Sequence, residues 1–159
     1  MWKALFITIA LGAGFGLMLP TGEQAAPVAA VAVTPAAGAA PQETVLERSE
    51  NGHFYANAEV NGQLVRFVVD TGATGVALTE DDARRIGIPF SRDEFTIVGS
   101  GASGPVRGKA VMLDKVSLDG KEARDVRGAI LEGSDISLLG QDYLGRMTVE
   151  MRGEIMRIS

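Results

Sequence analysis

One segment of this chain has the pattern of a β-strand that is covered on both faces. Leu64 to Val69 is apolar at every position except Arg66, as expected of a strand inside a sheet or barrel. The run ends at Asp70, and a carboxylate at the end of a buried strand is costly unless it is hydrogen-bonded or used in chemistry. The fold must therefore bury this strand and still accommodate the aspartate.

The segments on either side of this strand also favour β-structure. Phe54 to Val60 alternates apolar and polar residues, and Asn61-Gly62 is a strong two-residue hairpin signal because both positions accept positive φ. Asp119-Gly120 and Arg152-Gly153 predict two further turns. The other predicted strands are Val76–Leu78, Lys109–Leu113, Lys115–Leu118, Val126–Leu131, Ser137–Leu139, Met147–Met151 and Glu154–Ile158. The 20 glycines agree with such a turn-rich, all-β domain.

One short helix interrupts the predicted strands. Thr79 is a candidate N-cap, Glu80 and Asp81 place negative charge in the first turn, and Asp82 occupies the capping-box position. Gly87 is expected to end the helix. A shorter helical turn is predicted at Gln141–Gly145. The sequence therefore predicts an all-β domain with one short helix.

The N-terminal third differs from the rest of the chain. Residues 1–20 combine Lys3 with an uncharged apolar run, which predicts a signal-anchor or signal peptide, and the absence of a clean cleavage site close to the run favours an anchor. Residues 21–49 form an Ala/Pro-rich linker that cannot bury a core. The folded domain is predicted at 50–159. A positive charge before a single apolar run predicts that this domain lies outside the cytoplasm.

Composition excludes several classes of function. The net charge is −5 and no basic cluster appears, which argues against a nucleic-acid partner. The chain has no cysteine, so disulfides, thiol catalysis and cysteine-ligated zinc are excluded. We expect neither a metal nor a cofactor.

A glycine-rich stretch, "TIVGSGASGPV", contains a literal G-x-G-x-x-G at Gly99, Gly101 and Gly104. In a dinucleotide-binding loop the third glycine opens a helix whose N-terminus holds the pyrophosphate. Here Pro105-Val106-Arg107-Gly108 follows, and the next residues alternate as in a strand. A nucleotide-binding turn is therefore not supported.

A serine hydrolase is not supported either. Ser103 lacks the second glycine of a nucleophile elbow, because Pro105 occupies that position. The single histidine, His53, lies at the head of a predicted strand, where a histidine is usually solvated or packed.

The most informative motif is "FVVDTGATG", in which Asp70, Thr71 and Gly72 are followed by Ala73 and Thr74. About 70 positions later comes "SLLGQDYL", two apolar residues followed by a glycine and a short helical turn: Leu138, Leu139 and Gly140. Between the two lies the glycine-rich turn flanked by strands. With these three features in this order, residues 54–158 resemble a single-domain, retropepsin-like aspartic protease. The anchored N-terminus makes the chain similar to a bacterial membrane-anchored type with a periplasmic protease domain.

This resemblance implies a closed acid-protease barrel and specific roles for these residues. Asp70 would be catalytic, and Thr71, Gly72, Ala73 and Thr74 would form the active-site loop. Leu138, Leu139 and Gly140 would support that loop from behind. The flap, a hairpin that closes over an extended peptide, would comprise Gly99, Ser100, Gly101, Ala102, Ser103 and Gly104. The expected substrate is a peptide or protein. The protein is expected to cross the bacterial inner membrane once.

Stoichiometry predicts a homodimer. The chemistry needs two carboxylates that act on one water, and this chain contains one D-T-G. Asp70 of two subunits would meet at the two-fold axis. The resemblance implies that the terminal strands of both subunits interleave into one sheet. The last strand, Glu154–Ile158, would then be an open edge in a monomer and would pair across the interface; the alternative is a hairpin that closes its own subunit's barrel. A second function remains open, in which a catalytically silent module keeps the fold to bind a peptide or to dimerise.

Overall fold

A computed structural model describes residues 40–101 and 104–159. Within these residues lie ten strands, two short α-helices and a 3-10 turn at Arg92–Glu94. The strands are β1 (Thr44–Glu47), β2 (Tyr55–Val60), β3 (Gln63–Val69), β4 (Val76–Thr79), β5 (Thr96–Gly101), β6 (Gly104–Leu118), β7 (Lys121–Leu131), β8 (Ser137–Leu139), β9 (Val149–Arg152) and β10 (Ile155–Ile158). The helices are α1 (Glu80–Arg85) and α2 (Gln141–Leu144).

Six of the strands form a closed barrel. They follow the order β2-β3-β8-β4-β7-β6, and pairing between β2 and β6 closes the ring. The β3–β8 and β4–β7 pairs are parallel, and the other pairs of the ring are antiparallel. β5 continues the sheet beyond β6. The predicted all-β class with a closed barrel is confirmed.

Two tight hairpins determine the register of the barrel. Asn61 and Gly62 have φ of 50° and 84°, and Asp119 and Gly120 have 48° and 79°. Both pairs are therefore type I′-like turns, whose twist matches that of the flanking strands. The second turn joins β6 to β7, which pair along almost the whole length of β7, from Gly108↔Leu131 to Leu118↔Lys121.

The predicted apolar strand, β3, is part of the barrel wall. Val65, Phe67, Val68 and Val69 are buried, but Leu64 is 56% exposed, so the expected cover on both faces is found only in the second half of the strand. Leu78, Leu113 and Ile130, from three other strands of the barrel, are also fully buried. Tyr143 of α2 is also fully buried, and its hydroxyl donates a hydrogen bond of 2.7 Å to the carbonyl oxygen of Lys121. This bond joins α2 to the start of β7.

The chain termini form a second, three-stranded sheet in the order β1-β10-β9. β10 pairs with β9 on one edge and with β1 on the other, from Thr44↔Ile158 to Glu47↔Ile155. The prediction that the last strand is an open edge for a partner subunit is therefore wrong. The reason is β1, which starts at Thr44, before the predicted domain boundary at residue 50, and occupies that edge.

Helix α1 starts at the predicted cap. The Thr79 hydroxyl accepts a 3.0 Å hydrogen bond from the backbone N–H of Asp82. The side chain of Asp82 does not accept the backbone N–H of Thr79, as it would in a capping box. It accepts a 2.6 Å bond from the hydroxyl of Ser137, whose oxygen in turn accepts the Thr79 N–H at 3.1 Å. Gly87, with φ of 77°, follows the helix as expected.

Neither helix in the described part of the chain is both long and apolar enough to cross a membrane. The predicted anchor at 1–20 and the linker as far as residue 39 lie outside the described residues.

Candidate active site

Asp70 lies directly after β3, where the buried strand leaves the barrel. Its backbone N–H donates to the carbonyl oxygen of Leu139 at 3.0 Å, which continues the parallel pairing of β3 with β8. One carboxylate oxygen, Oδ1, accepts the N–H of Gly72 at 2.8 Å. The other oxygen has no hydrogen-bond partner among the described residues. The side chain is partly exposed, so a hydrogen-bonded carboxylate faces open space.

The backbone of the active-site loop, Asp70–Thr74, is held by the first turn of α2. The N–H of Gln141 donates to the carbonyl oxygen of Ala73 at 2.8 Å, and the N–H of Asp142 donates to that of Thr74 at 2.9 Å. The side-chain amide of Gln141 donates to the carbonyl oxygen of Thr71 at 2.9 Å. N–H groups that a helix leaves unpaired at its start therefore bind the loop.

Gly140 sits where no larger residue fits. A Cβ at this position would lie 2.1 Å from the carbonyl oxygen of Gly75 and 2.7 Å from that of Ala73. Both distances are far below van der Waals contact, so the glycine is required for the loop and β8 to pack together. This glycine belongs to the apolar-apolar-Gly motif found in the sequence.

Gln141 and Asp142 were not among the predicted site residues. The only sequence signal for them was the predicted helical turn that follows Gly140. Thr74, predicted as part of the active-site loop, contacts α2 through its backbone: its carbonyl oxygen accepts the Asp142 N–H, and its hydroxyl makes no hydrogen bond in the described part of the chain.

Asp142 also connects α2 to β7. Its nearly buried carboxylate accepts the backbone N–H of Arg127 at 2.7 Å and the guanidinium of Arg127 at 2.9 and 2.6 Å. Arg146 approaches the same carboxylate at 3.4 Å. The hydrogen bonds from the Arg127 backbone and guanidinium lower the pKa of the Asp142 carboxyl, outweighing the opposing effect of burial. Asp142 is thus held as an anion beside the loop.

A cleft of about 350 Å³ opens between the active-site loop and the β5–β6 hairpin. The loop contributes Gly72, Ala73 and Thr74 to its wall, and the hairpin contributes Val98, Gly99, Ser100 and Val106. Leu138 of β8 also lines the cleft, whereas Leu139 points into the core. The structure thus brings the loop, the support strand and the hairpin around one space.

The predicted flap is the end of the β5–β6 hairpin. Gly101 of β5 pairs with Gly104 of β6, and Ser100 pairs with Pro105. Ala102 and Ser103, predicted for the tip, lie outside the described residues. The segment Gly104–Gly108 is the start of β6, so the third glycine opens a strand and not a helix.

Ion pairs fix the base of this hairpin to the barrel. Arg107 pairs with Glu132 at 2.9 Å, and Lys109 pairs with Glu94 at 2.8 Å. Gly108 lies so close to β7 that a Cβ there would be 2.2 Å from the carbonyl oxygen of Ile130. The hairpin therefore projects over the cleft from a fixed base.

Nothing in the described residues is arranged as a metal centre: no group of three or more His, Cys, Asp or Glu side chains could hold an ion. The chemistry available at this site is that of a carboxylate with a free oxygen beside a cleft.

Comparison with known proteins agrees with this geometry. Residues 56–146 match the family of gag-polyprotein putative aspartyl proteases. The chain belongs to this family. Its fold is also similar to the crystal structure of a retropepsin-like aspartic protease from Rickettsia conorii, at 32% identity and a TM-score of 0.61, over 74% of this chain and 89% of that one. The part of this chain that matches the family, residues 56–146, runs from β2 to the end of α2. It therefore includes both Asp70 and Gly140.

Two curated relatives extend the similarity to almost the whole chain. An uncharacterised protein of Rickettsia prowazekii is 33% identical over 147 residues, 92% of this chain and 63% of its own length. An uncharacterised protein encoded in the cobV 5′ region of a Sinorhizobium species is 33% identical over 148 residues, 91% of this chain and 62% of its own length. The chain thus spans a little under two thirds of the length of these relatives.

Proposed function

We propose that this chain is an aspartic endopeptidase that hydrolyses peptide bonds with a water activated by two Asp70 carboxylates. The observation that carries the proposal is the position of Asp70. One oxygen of its carboxylate has no hydrogen-bond partner among the described residues, and Asp70 lies on a loop held by three hydrogen bonds from α2. The next residues of that loop, Gly72, Ala73 and Thr74, line a cleft that the β5–β6 hairpin also lines. A loop held in this way keeps a reacting group in one place without further reorganisation.

The reaction needs two carboxylates that share one proton. The ionised carboxylate takes a proton from water, and the resulting hydroxide attacks the scissile carbonyl carbon. The protonated carboxyl donates a hydrogen bond to the oxygen that becomes negative. Collapse of the tetrahedral intermediate breaks the C–N bond, and the leaving amine takes a proton from the pair.

A single chain supplies one such aspartate, because its sequence contains one D-T-G. The proposal therefore includes a homodimer in which the two Asp70 side chains meet at the two-fold axis. Thr71, which is exposed beside Asp70, would hydrogen-bond across that axis and brace the two loops.

The proposed substrate is an extended peptide. Gly99 and Ser100 of β5 line the cleft, and β5 is the last strand of its sheet. An extended chain can add to such a strand through its backbone. Closure of the hairpin over the peptide would exclude water from the reacting bond.

We further propose that the enzyme is a single-pass protein of the bacterial inner membrane with its protease domain in the periplasm. Lys3 followed by the apolar run Ala4–Leu19 supports this orientation. Attachment of both copies to one membrane would raise their effective concentration for dimer formation. Reporters fused after Ser159 test the orientation: alkaline phosphatase should be active and β-galactosidase inactive, and the reverse pattern would exclude it.

The activity is tested with the full chain in detergent and an unfolded casein as substrate. The parent should cleave casein, and Asp70→Asn, which is nearly isosteric, should bind but not cleave it. Asp114→Asn, an exposed aspartate on β6, is the matched control and should remain active. Binding without cleavage by the parent would instead identify a catalytically silent peptide-binding module.

A further inference from the structure

One strand of the barrel presents a row of side chains to the cleft. Along β7, Val126 and Ile130 are buried in the core, whereas Arg127, Ala129 and Leu131 alternate with them on the opposite face. Arg127, Ala129 and Leu131 all line the cleft. Because side chains of a strand alternate between its two faces, the guanidinium of Arg127 belongs to the same surface as these two apolar residues.

Among the described residues that line the cleft, Arg127 is the one with a charged side chain. The other described residues that line the cleft are uncharged, and most are small or apolar; examples are Ala73, Ala77, Val98 and Leu138. A peptide in the cleft would therefore meet one cation in an otherwise neutral surface.

Asp142 fixes the orientation of this cation. Both Nε and Nη2 of Arg127 donate to the same oxygen, Oδ1 of Asp142, at 2.9 and 2.6 Å. The carboxylate is 9% exposed and the arginine side chain 72% exposed. A nearly buried anion thus holds one side of a guanidinium whose remainder faces solvent.

The opposite side of this guanidinium is available for a ligand. Arg has five N–H donors in a planar fork, and Asp142 uses two of them. Neither N–H of Nη1 has a partner in residues 40–101 or 104–159. The free end of the fork matches the two oxygens of a carboxylate, which can accept both Nη groups at once.

Asp142 does not neutralise Arg127 alone. Its carboxylate also pairs with Arg146 at 3.4 Å, so two guanidiniums share one carboxylate. Across the β6–β7 pair the neighbour of Arg127 is Met112, which is exposed and uncharged.

From this arrangement we propose that Arg127 is a specificity-determining residue that binds an acidic side chain of the peptide substrate. The proposal rests on the proposed function in naming the peptide a substrate. It adds the substrate's chemical class: an extended peptide whose apolar side chains contact Ala129 and Leu131 and whose glutamate or aspartate reaches the free edge of Arg127. Glutamine at the same position offers one acceptor oxygen and an NH2 group that faces the guanidinium donors, so it is disfavoured.

The test compares peptides that differ in a single carboxylate. Octapeptides with two central leucines carry Glu or Gln scanned through the other six positions, and kcat/KM is measured with the full chain. At one position Glu should exceed Gln by about tenfold, with a smaller excess at high salt, since the arginine is exposed. A ratio near one at every position would overturn the proposal.

Variants then assign the preference to Arg127. Arg127→Gln should reduce the Glu-to-Gln ratio to about one, and Arg127→Lys should give an intermediate ratio because it keeps the charge but loses the fork. Arg124→Gln removes an equally exposed arginine from the same strand and should keep the parent ratio. A ratio that persists in Arg127→Gln would overturn the proposal, and Arg127→Lys provides the same test if Arg127→Gln does not fold.

Binding of the same peptides to Asp70→Asn separates this proposal from the proposed function. A preference for Glu in binding, with no cleavage by the parent, would support the role of Arg127 and refute the endopeptidase. Cleavage by the parent with no preference for Glu over Gln would support the endopeptidase and refute the role of Arg127. Absence of both binding and cleavage would refute both.

Discussion

Gly140 approaches Gly75 so closely that a Cβ on Gly140 would lie 2.1 Å from the Gly75 carbonyl oxygen. The contact joins the end of β8 to the loop that carries Asp70. Since φ at Gly140 is −104°, the residue is required for its lack of a side chain and not for an unusual backbone conformation. The geometry of the candidate catalytic residue therefore depends on one missing methyl group.

Gly140→Ala should destabilise the protein by about 3 kcal/mol, the upper end of the range for overpacking, and should abolish cleavage because the loop must move away. Gly99→Ala is the matched control for stability: a Cβ there meets nothing within 4 Å. Urea unfolding of both variants measures the difference. Equal stabilities would show that the loop can shift at little cost.

Asp142→Asn should make stability less dependent on pH in the acid range. Hydrogen bonds from the Arg127 backbone and guanidinium lower the pKa of the Asp142 carboxyl in the folded state, below its usual value of about 4 in the unfolded chain. The folded state therefore binds fewer protons. The stabilisation is complete above about pH 4 and is lost as the pH falls through the folded-state pKa.

The measurement is the free energy of unfolding of parent and Asp142→Asn at neutral pH and at several values below 4. The parent should be more stable at neutral pH, and the difference should shrink on acidification. A difference that is independent of pH would mean that the Asp142 charge does not contribute. Asp114→Asn, on an exposed face of β6, should behave as the parent at neutral pH.

Local rules were sufficient for the parts of the fold that depend on neighbouring residues. Asn61-Gly62 predicted its hairpin because positive φ at both positions is a property of these two residues. Thr79 was predictable as the N-cap of α1 because its hydroxyl bonds an N–H only three residues away. The buried strand that ends at Asp70 was visible because apolar residues fill nearly all of β3.

Features that depend on distant partners were not visible in the sequence. β1 is four residues long and is a strand because it pairs with β10, more than 100 positions away. The bonds from Gln141 to the active-site loop and the Arg127–Asp142 pair likewise join separate elements. The start of β6 was not predicted because it contains Pro105, and proline lacks the N–H that a strand uses for pairing. Pro105 is tolerated near the end of the hairpin, where it pairs with Ser100.

Tyr143→Phe should lower the free energy of unfolding by about 1 kcal/mol at neutral pH, the typical net value of one buried hydrogen bond. The lost bond is the one from the Tyr143 hydroxyl to the Lys121 carbonyl.

As the pH rises above neutral, the free energy of unfolding of Tyr143→Phe should fall less than that of the parent. Burial raises the pKa of Tyr143 to about 12, whereas an unfolded tyrosine loses its proton near pH 10. The parent's extra stability is therefore complete below about pH 10 and is lost as the pH rises towards 12. Unfolding measured between pH 7 and 11 should show the two proteins converging, and a constant gap would contradict the raised pKa.

Deletion of Gly153–Ser159 should unfold the domain, and not release a folded monomer. The segment contains β10, the central strand of the terminal sheet, and two of its side chains, Met156 and Ile158, are buried in the core. Its loss would leave β1 and β9 without a partner strand and would remove two buried side chains, each worth about 1.5–3 kcal/mol. Such a total is a large fraction of the stability of a typical domain.

Circular dichroism and thermal unfolding of the truncated chain measure the result. Arg157→Ala is the control within the same strand: this arginine is exposed and pairs with Glu43 at the surface, so its removal should cost less than about 1 kcal/mol. A truncated chain that keeps a cooperative unfolding transition would show that β10 is dispensable within the subunit. Because both edges of β10 are already paired, strand pairing between subunits through this sheet would use the edge of β1 or of β9 that has no partner strand within residues 40–101 and 104–159.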